Sequence, residues 1–174
     1  MNKPAITIRP YRPQDAGVLS AVFYASVRHI ARRDYTEAQV RAWAPDRIWG
    51  DDWDKRRAAT STWVAECGRE IAGFSDLGSD GHIDMLYVRP DFERQGIARA
   101  LLLYIESVAK ERGLSRLYTE ASITARPVFE ALGFHIVAEQ TVTRDGVPML
   151  NYRMVKSVPA DSLDHHPSSA KEST

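Results

Sequence analysis

The sequence predicts an α/β fold, of the α+β kind. It is built on a mixed, mostly antiparallel sheet of about six or seven strands, with one parallel pair and about four flanking helices. Three observations carry this. Apolar residues recur at helical spacing from Pro13 to Trp43 and then switch to strand-like runs. Two turn-forming segments, C-G-R-E and G-S-D-G, separate the first of those runs, as in an antiparallel meander. The chain then passes strand, helix, strand between His82 and Glu120, which is a right-handed crossover joining parallel neighbours.

Taken in order, Ala5 to Arg9 alternates as an edge strand. Pro13 suits a first helical turn, and Leu19, Val22, Phe23, Ser26, Val27 and Ile30 mark one helix face. A short helix is expected from Thr36 to Trp43, ended before Pro45, and another around Asp52 to Ala59. Thr62 to Glu66, Ile71 to Leu77 and His82 to Val88 read as the meander. Ile97, Leu101, Ile105, Val108 and Ala109 form the stripe of a long helix stopped by Gly113. Leu114 to Glu120 is the next strand, and a helix spans Thr124 to Leu132. Phe134 to Thr143 and Val147 to Val155 flank R-D-G, a hairpin signal.

The chain has 174 residues, enough for one domain with a sizeable core, expected over residues 1–155. Residues 156–174 are rich in Ser, Pro, Asp and His, offer little to bury, and are expected to be a disordered tail; His165 and His166 sit there as solvated side chains. Lys plus Arg and Asp plus Glu number 23 each, so the balance is neutral and a general nucleic-acid binder is disfavoured. Cys67, the one cysteine, excludes an internal disulfide and a cysteine-rich metal site; it reads as core, and no metal is expected. The opening M-N-K-P-A-I-T-I-R holds no apolar span, so a cytoplasmic protein away from membranes is expected.

The most informative stretch is Ile83 to Leu102, a buried strand, the basic loop E-R-Q-G-I-A, then an amphipathic helix. The first N–H groups of a helix lack partners and stand at the positive end of its dipole, which makes an anion site. Arg94, Gln95, Gly96 and Arg99 suit a pyrophosphate held mainly by backbone. Neither G-x-G-x-x-G nor G-K-[ST] is present, so the dinucleotide and Walker loops are not matched. By spacing alone, the loop could equally be a tight turn with solvated arginines, or belong to another small nucleotide binder.

Val88, Pro90, Gly96 and Ala98 fall where the GCN5-related N-acetyltransferase superfamily carries V-x-P and [QR]-x-x-G-x-[GA], and the stretch resembles that acetyl-coenzyme A signature. Glu93 departs from it, standing where Gln or Arg is usual. Ala125 to Phe134, A-R-P-V-F-E-A-L-G-F, resembles the family's A-x-x-x-[YF]-E-x-x-G-F segment, and the element order agrees from Ile6 to Val155. The resemblance implies the acyl-CoA N-acyltransferase fold, in which the parallel pair splays. It also implies acetyl-coenzyme A as co-substrate. Its arm would pair with Leu86, Tyr87 and Val88, and its pyrophosphate would rest on Arg94, Gln95, Gly96, Ile97 and Ala98, with Arg99 nearby. Ser122 and Phe129 would lie along the arm and thioester. Tyr35 and Trp43 would line the acceptor pocket, with core packing as the competing reading of both.

The implied reaction moves an acetyl group to a primary amine by direct attack in a ternary complex. Presenting a lysine-like amine neutral at pH 7 costs about 4.6 kcal/mol, so a general base is expected. Asp84 is the first candidate, His82 the second and Glu120, on the facing strand, the third; His82 and Asp84, two apart, would share a strand face. A backbone N–H near Leu86 would stabilise the oxyanion. Phe129 stands where many members carry a tyrosine acid, leaving Tyr118, Ser122, Thr124, water or no acid as alternatives. The same Phe129 motivates the alternative of a non-catalytic coenzyme A-binding regulatory or interaction module. The acceptor is expected to be a small-molecule or protein amine, and the C-terminal hairpin is a possible homodimer edge.

Overall fold

The computed structural model describes residues 5–46 and 51–159. The elements are β1 (Ile6–Pro10), α1 (Ala16–Ala25), α2 (Glu37–Trp43), α3 (Asp51–Ala59), β2 (Ser61–Cys67), β3 (Glu70–Leu77), β4 (Leu86–Val88), α4 (Ile97–Glu111), β5 (Arg116–Ser122), α5 (Arg126–Ala131), β6 (His135–Arg144) and β7 (Val147–Ser157). One antiparallel sheet runs β1-β2-β3-β4 and a second runs β5-β7-β6. A single parallel bridge, His82 to Tyr118, joins them. β6 is the outer strand of the second sheet, so the hairpin edge expected to offer a dimer contact is open among the described residues.

The strands read as near-continuous apolar runs because both faces are covered. On β2, Trp63 belongs to the cluster of Leu102, Ile105, Leu117 and Met154, whereas Val64 packs with Leu19, Val22, Phe23 and Phe74. Ala65 joins a third cluster with Ile97 and Leu101, and the lone Cys67 is buried there, as its core reading required. Helix α4 buries Ile97, Leu101, Leu102, Ile105, Val108 and Ala109, the predicted stripe plus Leu102. Each large apolar side chain so buried contributes on the order of 1.5–3 kcal/mol. The helix closes as expected at Gly113, with Leu114 N–H donating to Ala109 O at 2.9 Å. The β6–β7 hairpin turns at Asp145 and Gly146, at φ +46° and +76°, as the R-D-G signal requires.

Three boundaries differ from expectation. The first helix does not continue regularly to Ile30; a π-helical turn occupies Ser26–Ile30. The strand expected over His82 to Val88 is regular only from Leu86, for a reason given below. The tail is expected from residue 156, but Lys156 and Ser157 lie in β7 and Val158 is buried. Residues 160–174, with His165 and His166, lie outside the described residues. Among the described residues no helix is long and apolar enough to cross a membrane.

Candidate active site

The site begins with a carboxylate inside β3. Asp76 is 1% exposed and Arg57, from α3, is 3% exposed; Arg57 Nη1 donates to Asp76 Oδ2 at 2.9 Å. The other oxygen, Oδ1, accepts the backbone N–H of both Asp84 and Met85 at 2.9 Å. Ser75 Oγ donates to Met85 O at 2.6 Å. Side chains of β3 thus take over part of the ladder here, leaving only the backbone bonds from Gly78 N–H to His82 O at 2.8 Å and from Asp76 N–H to Met85 O at 3.3 Å. This is why His82 to Met85 is not strand, and it draws the chain off β5 just after Ile83 N–H donates to Tyr118 O at 2.9 Å. Burial pushes the Asp76 carboxyl above its ordinary value, against the pull of the Met85 amide and of Arg57. Trp53, one turn before Arg57 on α3, is 4% exposed and carries the guanidinium 5.5 Å from its ring centre.

Beyond this divergence β4 pairs only with β3, Gly73 opposite Val88 and Ser75 opposite Leu86. Arg89 N–H donates to Ala72 O and Asp76 N–H to Met85 O, so by alternation the N–H and C=O of Leu86 and Val88 face the gap. Gly73 permits the approach, because a Cβ there would lie 2.7 Å from Tyr87 O and 3.0 Å from Ile97 Cγ2. The gap opens a cavity of about 650 Å³ lined by Leu86, Tyr87 and Val88 on one wall and Thr119 to Ser122 on the other.

The floor of that cavity is the N-terminus of α4. Gly96 occupies the left-handed region at φ +88°, as does Arg94 at +59°, where a side chain costs roughly 1–2 kcal/mol. The first helical bond is Ala100 N–H to Gly96 O at 2.9 Å, so the N–H groups of Ile97, Ala98 and Arg99 precede it. Arg94, Gly96, Ile97, Ala98 and Arg99 all line the cavity. Gln95 does not; its Nε2 donates to Asp91 O at 3.1 Å. The departure at Glu93 has a local answer. Arg33 donates to both Glu93 oxygens across the cavity mouth and holds that carboxyl below the usual range. On the opposite side Thr124 Oγ1 donates to Asp34 Oδ2 at 2.8 Å. Phe129 lines the cavity with no donor, 2% exposed and edge-on to Phe134 at 5.0 Å.

A second cavity, of about 340 Å³, meets the first. Trp43, Asp84, Tyr87, Glu120 and Ser122 line both. Of the three expected base candidates, the structure brings Asp84 and Glu120 to this junction. It does not bring His82, because the irregular 82–85 segment no longer aligns His82 with Asp84. Instead His82 stacks on Tyr118 at 4.8 Å, and its Nε2 lies 2.6 Å from Glu120 Oε2. Tyr35 lines only the second cavity and is largely a strut; its hydroxyl donates to Leu150 O at 2.6 Å and accepts from Ile123 N–H at 2.9 Å. Trp43 packs edge-on against Tyr35 at 5.5 Å. Burial pushes the Tyr87 phenol up to about 12, so it is protonated at neutral pH. Among the acid alternatives, Tyr118 lines neither cavity and donates to Asp80. Thr124 is engaged with Asp34. Ser122 Oγ accepts from Ala125 N–H at 3.0 Å.

A sequence model described as an acetyltransferase (GNAT) domain matches residues 31–156. The chain belongs to the GNAT acetyltransferase family. By class, then, its chemistry is acetyl transfer to an amine. It is 37% identical over 149 residues to the uncharacterized N-acetyltransferase YafP of Escherichia coli K12, covering 86% of this chain and 94% of that one. It superposes with a TM-score of 0.84 on a GCN5-related N-acetyltransferase from Rhodopseudomonas palustris, 34% identical, covering 90% and 97% of the two chains. The PaiA N-acetyltransferase of Thermoplasma acidophilum, solved with coenzyme A, shares the fold at 18% identity and a TM-score of 0.70, covering 88% of this chain and 99% of that one.

Sequence reasoning missed four contributors to this GNAT site: the Arg57–Asp76 pair, Arg33, the junction position of Tyr87, and the wall of the second cavity from Val142 to Arg144 and Met149 to Asn151. Only Asp76 left a signal. An acid inside the apolar run F-S-D-L is one that must find partners when buried.

Proposed function

We propose that the chain transfers the acetyl group of acetyl-coenzyme A to a primary amine by direct attack in a ternary complex. The observation that carries this is the meeting of two cavities at Asp84, Glu120 and Ser122. One cavity ends on an arginine-flanked helix N-terminus and suits a diphosphate with an extended arm; the other admits the acceptor from the opposite side. Leu86 and Val88 offer the arm free backbone groups, and Leu86 N–H is the donor for the developing oxyanion.

The amine nitrogen bonds to the carbonyl carbon, the carbon–sulfur bond breaks, and one amine proton must leave. Glu120 is the base this geometry favours. It faces the junction, and His82 behind it, at 2.6 Å, orients the carboxylate and offers the proton a way outward. Asp84, at the same junction, is the second candidate. Ser122 is the side chain placed to meet the departing thiolate, which at a pKa of about 8.5 needs little help. The bS18-alanine N-acetyltransferase of E. coli, 35% identical over 69 residues (38% of this chain and 45% of that one), acts on a protein amine by its name. The 340 Å³ of the second cavity favours a small molecule for this chain.

Glu120→Gln is expected to lower kcat by on the order of 100- to 10,000-fold while leaving coenzyme A affinity unchanged. Thiol release and isothermal calorimetry measure the two. An unchanged kcat would remove Glu120 from the mechanism. No turnover of any amine by the wild type with acetyl-coenzyme A bound would instead support a non-catalytic binding module, the alternative that Phe129 favours.

A further inference from the structure

The arginines lining the two cavities fall into two groups. Arg33 is paired with Glu93. Arg94, Arg99 and Arg144 enter no hydrogen bond or ion pair among the described residues. Arg94 and Arg99 belong to the diphosphate site proposed above. Arg144 has no such assignment. It stands at the end of β6, paired with Val147 across the hairpin turn, and lines only the second cavity. Tyr35, Trp43 and Tyr87 line the same cavity. Asp145, next to Arg144, lines neither cavity.

The opposite charges lie elsewhere. Asp84 and Glu120 line both cavities and so mark the end where transfer occurs, while Arg144 marks ground away from it. Asn151 lines the same chamber, and its buried amide oxygen has no partner. The chamber thus holds two carboxylates where it meets the first cavity and, among the described residues, one arginine lining it alone, Arg144; the Asn151 oxygen, an acceptor, offers nothing to an anion. A guanidinium is fitted to bidentate recognition of carboxylate or phosphate.

We infer that the acceptor is a small amine bearing an anionic oxygen group at the end remote from the amine, its ammonium drawn to Asp84 and Glu120 and its carboxylate or phosphate held by Arg144. This rests on the acetyl-transfer reading of the same site. Binding of such a compound also orders the amine towards the junction, so loss of the anionic end should raise KM more than it lowers kcat.

The test is a length series of ω-amino carboxylates, the matching ω-aminoalkyl phosphates, their neutral primary amides, and diamines, assayed with acetyl-coenzyme A on wild type, Arg144→Ala, Arg144→Lys and Arg144→Glu. At the best length the wild type should prefer an anionic acceptor over its amide by about ten- to a hundredfold in kcat/KM, the range for a charge-assisted hydrogen bond. The better of the carboxylate and phosphate arms identifies the group. Arg144→Ala should abolish the preference, Arg144→Lys retain part of it, and Arg144→Glu shift it towards diamines, all with coenzyme A affinity unchanged. Turnover with no end-group preference, or a preference that survives Arg144→Glu, overturns the inference and leaves acetyl transfer standing. Thermal shift of the coenzyme A complex reads the same preference without turnover. Stabilisation by the anionic amines in wild type and not in Arg144→Ala supports the inference even if no amine is acetylated, and equal shifts in both proteins refute it.

Discussion

The two cavities that meet at Glu120 are made in opposite ways. The larger is built mainly from three stretches, Ser26 to Asp34, Asp84 to Arg99 and Thr119 to Phe129, with Trp43, and the groups proposed to hold the cofactor are largely backbone: the edge of β4 and the first turn of α4. The smaller is assembled from Tyr35, Trp43, Tyr87, Val142 to Arg144 and Met149 to Asn151, and works through side chains. A backbone site tolerates change in most side chains but depends on the path of the chain. A side-chain site can be altered residue by residue on an unaltered frame.

The strongest way to break that contrast is at the element both cavities share. Asp76→Ala leaves Arg57 buried without its partner and the Asp84 and Met85 amides without their acceptor. A loss of about 3–5 kcal/mol in unfolding free energy is expected, read by urea denaturation. Coenzyme A affinity and turnover should fall together, since the divergence of β4 from β5 defines both chambers. Asp76→Asn, which keeps an oxygen for the two amides, should retain more of the affinity than of the stability. Full retention of both by Asp76→Ala would show that the gap does not depend on this carboxylate.

A smaller effect separates the chambers. Arg94→Glu with Arg99→Glu should weaken coenzyme A by roughly ten- to a hundredfold by calorimetry, with the deficit growing at low ionic strength. Acceptor KM, measured at saturating acetyl-coenzyme A, should not move. Equal loss for coenzyme A and for dephosphorylated pantetheine would refute a phosphate role for these arginines.

The smallest effect sharpens the boundary at Glu93. Its carboxylate lines the chamber proposed for an anion, and its pairing with Arg33 is exposed, worth at most about 1 kcal/mol. Glu93→Gln should tighten coenzyme A binding a few-fold at pH 7, by removing a negative charge and releasing Arg33. The sign with pH follows from the depressed carboxyl: wild-type Glu93 stays ionised down through the ordinary carboxylate range. The advantage of the variant should therefore persist through the ordinary carboxylate range and be lost only below it, as wild-type Glu93 becomes neutral too. Weaker binding by the variant at pH 7 would show the carboxylate helping the cofactor, as a hydrogen-bond acceptor.

The contrast between the chambers is also the contrast between what could and could not be read from the chain. The stripe of α4, the Asp145–Gly146 hairpin and the loop ending in Gly96 each follow from spacings within a few residues, and each stands where expected. The strand from His82 misled, because its apolar pattern carries no trace of the Asp76 carboxylate that bends it from eight and nine residues away. His82 and Asp84 therefore part company, and His82 meets Glu120, which is 38 positions further on.

By itself the sequence determined the Gly96 loop at the start of α4 and the elements around it, since backbone geometry answers to neighbours in the chain. Tertiary structure alone decided which carboxylates line both cavities, how Arg57 and Asp76 open the gap, and that Arg144 lines the same chamber as Asp84 and Glu120. Those relations join segments far apart in sequence, where no spacing rule links one side chain to another and only packing sets their distance.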